Sequence, residues 1–303
     1  MKVFVTGATG FIGSAVVKEL IANGHQVLGL ARSEAAAEKL KIAGAEPLYG
    51  DLTDLESLKK GALAADAVAH LGFIHDFTRF AAMCEVDRKA IETIGTALIG
   101  TKKPFIVTSG TAVIRKLEII TEQDAVIETP NPRTATELAV NTLAAKGVRA
   151  SVVRFPPSVH GNGDKGGFVP ILISIAKEKG IVAVINEAGN VWPAVHRLDA
   201  ARVFRLALEK NPEPGTRYHA VAEQGVKMKA IAGAISDHLK LPLKHIKEEE
   251  AAAYFTWFTH FAMLDNPSSS TWTQQELNWK PEHPELLEDL KGNVYFKEDK
   301  RVY

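Results

Sequence analysis

The stretch MKVFVTGATGFIGSAVVKELIANG constrains the fold more than any other part of the chain. Lys2 to Thr6 is a short β-branched, apolar run, and Gly7-x-x-Gly10-x-x-Gly13 follows it at once. Residues 14–24 then place apolar side chains at helical spacing, with Gly24 where a C-terminal glycine belongs. Strand, glycine turn and helix in that order give the glycine spacing a meaning it lacks alone. Glycines permit the tight turn and let backbone N–H groups approach a pyrophosphate at the positive end of the helix. The spacing therefore predicts a dinucleotide site at Gly7, Thr9, Gly10, Phe11, Ile12 and Gly13.

The rhythm continues. HQVLGLAR (25–32), EPLYGDL (46–52), AVAHLGF (67–73), KPFIVTSG (103–110) and VRASVVRF (148–155) read as buried strands, separated by helical stretches such as SEAAAEKLKIAG (33–44). Strands that are apolar throughout and alternate with helices predict an α/β fold, a Rossmann-type doubly wound parallel sheet covered on both faces. After residue 155 the rhythm breaks into a glycine-rich loop, PPSVHGNGDKGG, and a helix, FVPILISIAKEKG, before a mixed remainder with the aromatic run YFTWFTHF (254–261). The expected division is a nucleotide-binding domain over 1–160, with 195–215 packing back on it, and mainly a substrate-binding lobe over 161–303. Such a lobe closes over the carboxyl edge of the sheet, where α/β proteins bind ligands.

At 303 residues and 46% hydrophobic content the chain can bury a large core. Thirty-six basic residues balance thirty-six acidic ones, so no field attracts nucleic acid or an anionic membrane surface. The single cysteine, Cys84, excludes an internal disulfide and a thiolate metal cluster, and no metal site is expected. No apolar run approaches the roughly 18 residues of a membrane span, and the N-terminus lacks a signal-type apolar region. The expectation is a soluble, cytoplasmic monomer or homodimer acting on a small molecule, without nucleic-acid or membrane partners.

An acidic residue after the second strand would bind a ribose 2′-hydroxyl and repel a 2′-phosphate. Ala31-Arg32-Ser33 stands there instead, a cation and a hydroxyl that suit the phosphate unless Arg32 is simply solvated. NADP(H) is the preferred cofactor, with NAD(H) possible.

TGATGFIG is followed, in order, by Gly50-Asp51-Leu52, His70-Leu71-Gly72, Thr108-Ser109-Gly110, Arg154-Phe155-Pro156 with Ser158-Val159-His160-Gly161, and Val195-His196-Arg197-Leu198-Asp199. Over nearly its whole length the chain resembles the extended and atypical short-chain dehydrogenase/reductase superfamily, which includes sugar epimerases and dehydratases. The resemblance implies that Asp51 and Leu52 hold the adenine, and Leu71, Gly72 and Phe73 the ribose and phosphates. Pro156, Ser158 and Val159 would hold the nicotinamide amide.

That superfamily also carries a Tyr-x-x-x-Lys pair on the helix after the fifth strand. Four residues of spacing put both side chains on one helix face, where the lysine charge makes the tyrosine a better acid. Counting back from Glu137 and Arg154 puts Thr129 at the tyrosine position and Arg133 at the lysine position. Asn131-Pro132 reads as N-cap and first helical residue, which leaves Thr129 outside the helix. A threonine hydroxyl has no useful acidity, whereas Arg133 can hold a ribose hydroxyl or a phosphate, or be solvated. Gly110 falls where a catalytic Ser or Thr usually stands, with Ser109 and Thr111 on either side as the hydroxyl candidates. Imidazole is the natural substitute acid, and His75, His160, His196 and His260 lie on segments that should reach the cleft. His75 is favoured, beside Asp76 and among Phe73, Phe77 and Phe80. Trp192, Tyr254, Phe255, Trp257 and Phe258 are either core or the lining of an apolar pocket. His160, Trp192 and Trp257 are the expected substrate contacts.

These features predict an NADPH-dependent reductase of a small or medium, mostly apolar carbonyl, imine or activated alkene. The alternatives are a non-catalytic NADP(H)-binding sensor and a redox-neutral epimerase or lyase.

Overall fold

The computed structural model describes residues 1–116, 118–187, 189–292 and 294–296. The main body alternates strand and helix: β1 (Lys2–Thr6), α1 (Phe11–Ala22), β2 (Gln26–Ala31), α2 (Glu34–Ile42), β3 (Glu46–Tyr49), α3 (Leu55–Ala64), β4 (Ala67–His70), α4 (Phe80–Ala97), β5 (Phe105–Gly110), α5 (Ala135–Ala145) and β6 (Ala150–Phe155). There follow β7 (Ser158–His160), α6 (Phe168–Lys179), β8 (Val182–Ile185), β9 (Val191–His196), α7 (Arg197–Lys210) and β10 (Arg217–His219). The chain continues through β11 (Glu223–Lys227), α8 (Met228–Leu239), β12 (Leu243–Ile246), α9 (Glu248–Phe255), α10 (Thr259–Ala262), α11 (Thr271–Leu277) and α12 (Leu286–Lys291).

Seven strands form one parallel sheet in the order β10-β6-β5-β4-β1-β2-β3. Strands β1 to β3 run outward one way and β4 to β6 the other, so the order reverses between β1 and β4. A crevice opens at the carboxyl ends of such a pair. Thr6 and His70, the last residues in register there, stand at its floor.

The apolar strands are explained by burial on both faces. Val3 and Val5 pack with Leu20 of α1 and Phe204 of α7, while the intervening Phe4 points the other way, toward Leu58 of α3 and Ile91 of α4. Helix α7 lies along α1, tied by Arg205 Nε to Glu19 Oε1 at 2.7 Å. Beyond the 195–215 segment, Arg217–His219 also returns to the main body as the sheet's edge strand β10. The segment around 195 divides between two elements, with Val195 and His196 ending β9 and the helix beginning at Arg197.

The lobe has its own core of Val169, Trp192, Ile231, Phe258 and Leu286, built on the sheets β11-β9-β7 and β12-β8. A bridge between Ile120 and Ser268 ties it to the segment after β5. Among the described residues no helix is long and apolar enough to cross a membrane, and no group of acidic, histidine or cysteine side chains is arranged to hold a metal ion.

Candidate cofactor and active site

Gly7 sits at φ +65°, and a Cβ there would lie 2.7 Å from the backbone of Leu71 and Gly72. A Cβ on Gly13 would lie 2.0 Å from the Gly7 carbonyl oxygen, so this glycine lets α1 start hard against the turn. Gly10 caps α1 without any side-chain hydrogen bond, and no acidic residue occupies the first turn. The first N–H groups of the helix, at Phe11, Ile12 and Gly13, are thus left for an anion, and the exposed Thr9 borders them. Across the crevice, a Cβ on Gly72 would meet the Leu52 side chain at 2.9 Å. Gly7, Gly13, Leu71, Gly72 and Leu52 therefore form one close-packed cradle that any larger residue would fill, and its backbone walls fit a dinucleotide.

Arg32 is exposed just past β2, and Ser33 caps α2 by accepting the N–H of Ala36 at 3.2 Å. A guanidinium and a capped helix N-terminus thus meet at one corner. Asp51 accepts the backbone N–H of Thr53 at 2.7 Å and its hydroxyl at 2.6 Å. Those bonds, with help from the Arg32 charge, hold the Asp51 carboxyl below its usual range. At the other end of the cleft Ser158 is buried, and its Oγ finds no partner among the described residues. A hydroxyl left open in that way fits the amide of a nicotinamide. The buried Pro156 and half-buried Val159 flank it.

The floor of the crevice carries a buried polar chain. His70 Nδ1 bonds the Thr6 hydroxyl at 2.9 Å, and His70 Nε2 lies 3.2 Å from Asp87 Oδ1. Asp87 Oδ2 in turn accepts from Arg133 Nη1 and from the Thr136 hydroxyl, each at 2.6 Å. Burial pushes the Asp87 carboxyl up, but the Arg133 charge and the bonds from His70 and Thr136 outweigh it and hold it at about 2. Arg133 is placed by the turn before α5, where Asn131 Oδ1 accepts the Arg133 N–H at 3.0 Å ahead of Pro132. Its guanidinium also donates to the Thr108 carbonyl at 3.3 Å and lies 4.3 Å over the Phe73 ring. Arg133 is therefore fixed, with only a narrow window to solvent. Thr129 lies outside the helix, its hydroxyl accepting the Asn131 N–H at 3.2 Å.

Asp87 and His70 went unpredicted as parts of the site. The available signal was a carboxylate on the apolar stripe of α4, in step with Cys84 and Ile91.

Several expected side chains are committed elsewhere. Ser109 is buried and donates its hydroxyl to Glu137 Oε1 at 2.6 Å, and Arg154 holds that same carboxylate with bonds of 2.8 and 2.7 Å. Thr111 is fully buried and donates to Asn266 Oδ1 at 2.6 Å. Both hydroxyls, expected at a substrate oxygen, are buried and spent on other side chains of the protein. His160, expected at the substrate, is 1% exposed, and its Nδ1 lies 2.6 Å from Asp289 Oδ2, where it docks α12. Trp192, also expected there, has no exposed surface and packs in the lobe core against Phe168 and Phe258. Both were drawn inward because the lobe has a full core of its own. His196 is buried against the His283 ring, and burial, with the neighbouring His160, lowers its pKa to about 4.

His75 is exposed at the mouth of the cleft, with its ring centroid 5.3 Å from that of Phe73. Desolvation, then the Arg133 charge, lowers its pKa below 6.5. Trp257 is exposed on the lobe side and faces Phe77. Phe73 and His75, Arg133, and Trp257 are thus brought to one opening by three separate segments.

Comparison with known proteins agrees with this geometry. The sequence model of the NAD dependent epimerase/dehydratase family matches residues 3–220. An uncharacterized protein of Schizosaccharomyces pombe is 48% identical over 297 residues, 98% of this chain and 100% of that protein. One of Saccharomyces cerevisiae is 48% identical over 296 residues, 97% of this chain and 99% of that protein. Among solved structures, the UDP-N-acetylglucosamine 4-epimerase from Bacillus cereus superposes with a TM-score of 0.73, covering 97% of this chain and 95% of that one at 16% identity. That last likeness is one of fold. With a family match spanning the whole parallel sheet, the chain belongs to the NAD dependent epimerase/dehydratase family.

Proposed function

We propose that the protein is an NADPH-dependent oxidoreductase that reduces a small or medium, mostly apolar carbonyl, imine or activated alkene without the usual catalytic tyrosine. The observation that carries this reading is the guanidinium of Arg133, fixed by Asp87 where the superfamily has its lysine, with the exposed ring of His75 beside it. Of the described tyrosines, none lies on α5: Tyr49 ends β3 and donates to Glu34, Tyr218 is buried against Trp272, Tyr254 donates to the Ile181 carbonyl, and Tyr295 to Asp164.

Bound NADPH would supply a hydride. The chain's own residues divide the remaining work. The N–H groups of α1 hold the pyrophosphate, Arg32 and the N-terminus of α2 take the 2′-phosphate, and the open Ser158 hydroxyl orients the amide. Arg133 has N–H groups free of its Asp87, Thr136 and Thr108 bonds and offers them to a ribose hydroxyl. His75 donates the proton to the substrate oxygen. General acid catalysis contributes about 10²- to 10⁴-fold, so positioning alone sustains a slower reaction. NADPH oxidation against a panel of carbonyls, imines and enones, with NADH in parallel, tests the reading, and it fails if nothing in the panel is turned over.

A second reading has its own support. With Ser109 and Thr111 both bonded inward, neither of the two hydroxyls expected at a substrate oxygen is left open to one. A sensor that binds NADP(H) without turnover would tolerate that. Against a redox-neutral epimerase or lyase stands Arg32, which favours the phosphorylated cofactor over tightly held NAD.

A further inference from the structure

An aromatic seam crosses the mouth of the cleft. Phe73, Phe77 and Phe80 stand on the main body, and Trp257 and Phe261 on the lobe. Phe77 stacks on Trp257 with ring centroids 5.1 Å apart and planes inclined by 27°. Phe80 stacks on the same Phe77 at 5.9 Å, and Phe261 meets it edge-on at 6.4 Å. Trp257 nevertheless leaves 54% of its surface exposed. A contiguous patch of rings, four half-buried and Trp257 exposed, at a cleft between two lobes has the composition of a ligand wall.

The charges beside it narrow the ligand. Arg79 is paired with Asp76 at 2.8 Å, Arg133 with Asp87 at 2.6 Å, and Arg115 is in contact with the His260 ring. A nucleotide diphosphate is best held by cations without a standing partner, and each of these arginines already has one, the N–H groups that Arg133 keeps free being those it offers to a ribose hydroxyl.

We propose that the Phe77–Trp257 stack is a placeholder for the substrate, which is a flat, uncharged molecule with an aromatic ring next to its reducible group. The substrate ring takes the place of Phe77 on the face of Trp257. One offset stack is exchanged for another, so opening the seam and closing it on the ligand are nearly balanced, whereas an aliphatic chain leaves the ring face less well matched. The proposal rests on the reading of this cleft as the substrate site of a reductase.

The test uses the full chain and three probes: acetylnaphthalene, an aliphatic ketone of equal carbon number, and UDP-glucose. Binding is followed by calorimetry and tryptophan fluorescence in the parent protein, in Trp257→Ala and in Phe77→Ala. Trp257 is exposed, so its replacement leaves the fold in place. Acetylnaphthalene is expected to bind more tightly than the aliphatic ketone and to lose at least about threefold in affinity in Trp257→Ala, the range of one aromatic pair. Phe77→Ala, which removes only the placeholder, is expected to bind it as well as or better than the parent. Equal affinity for both ketones, loss in both variants alike, or tighter binding of UDP-glucose overturns the proposal. Ring-dependent binding with no NADPH oxidation keeps the substrate class and sinks the reductase reading. NADPH oxidation indifferent to the ring and to Trp257 does the reverse.

Discussion

Arg133 Nη1 and Asp87 Oδ2 lie 2.6 Å apart at the floor of the crevice, joining the helix after β4 to the turn before α5 across 46 positions of sequence. Asp87 is 2% exposed and Arg133 keeps only a narrow window to solvent, so removing the carboxylate strands a guanidinium in a poorly hydrated place. Asp87→Asn is expected to cost about 3 kcal/mol, the lower end for breaking a buried pair because of that window, and to weaken NADPH binding as Arg133 loses its anchor. The folded-state pKa of Asp87 is depressed to about 2 from 3.8. Its contribution is therefore complete above pH 3.8 and fades as pH falls through about 2, so thermal melts of the two proteins should converge only in that acid window. Melts equally far apart at every pH would show that the pair does not act through the carboxylate charge.

Arg32 tests the cofactor preference separately. Arg32→Asp replaces a cation with an anion that repels a 2′-phosphate, so NADPH affinity should fall by at least about tenfold while NADH affinity holds or rises. Titrations with both cofactors decide it. A parallel loss for the two would mean that Arg32 does not read the phosphate.

His75 makes a prediction about pH. Desolvation and Arg133 lower its pKa below 6.5, so the protonated ring that can serve as an acid disappears as pH rises through a midpoint below that value. The kcat/KM for carbonyl reduction should fall over the same range. In His75→Gln that fall should vanish and the rate should drop by about a hundredfold. A variant with the parent profile would move the proton source to water.

Ser109 is expected to matter for stability and not for turnover. Its hydroxyl serves the buried Glu137 carboxylate, and Ser109→Ala should cost about 1.5–3 kcal/mol, the range for a hydrogen bond to a charged group. kcat/KM should stay near the parent value in a steady-state assay below the melting temperature. A selective loss of kcat would return Ser109 to the chemistry.

What the sequence revealed and what it hid follow from the range of each constraint. The glycine turn was legible because its demands are local: Gly7 needs a positive φ and Gly13 cannot carry a Cβ, whatever the rest of the chain does. The Asn131-Pro132 helix start is equally local, since the cap and the capped N–H are two residues apart. Asp87 was hidden because a helical stripe says which face is inward but not which residue it meets. The same holds for Thr111, whose partner Asn266 lies 155 positions away, and for Ser109 on β5, whose partner Glu137 arrives on α5. That Trp192 and His160 are buried was not legible, because composition cannot separate rings that fill a lobe from rings that line its edge. Trp257, two residues past the end of α9, fell on the other side of that division.

The central claim is tested most directly by following NADPH consumption by the purified full chain across uncharged aryl and alkyl ketones, imines and enones. The account predicts substrate-dependent oxidation of NADPH, faster than that of NADH, with at least one aryl ketone or enone. Tight NADPH binding with no oxidation across the whole panel would contradict it.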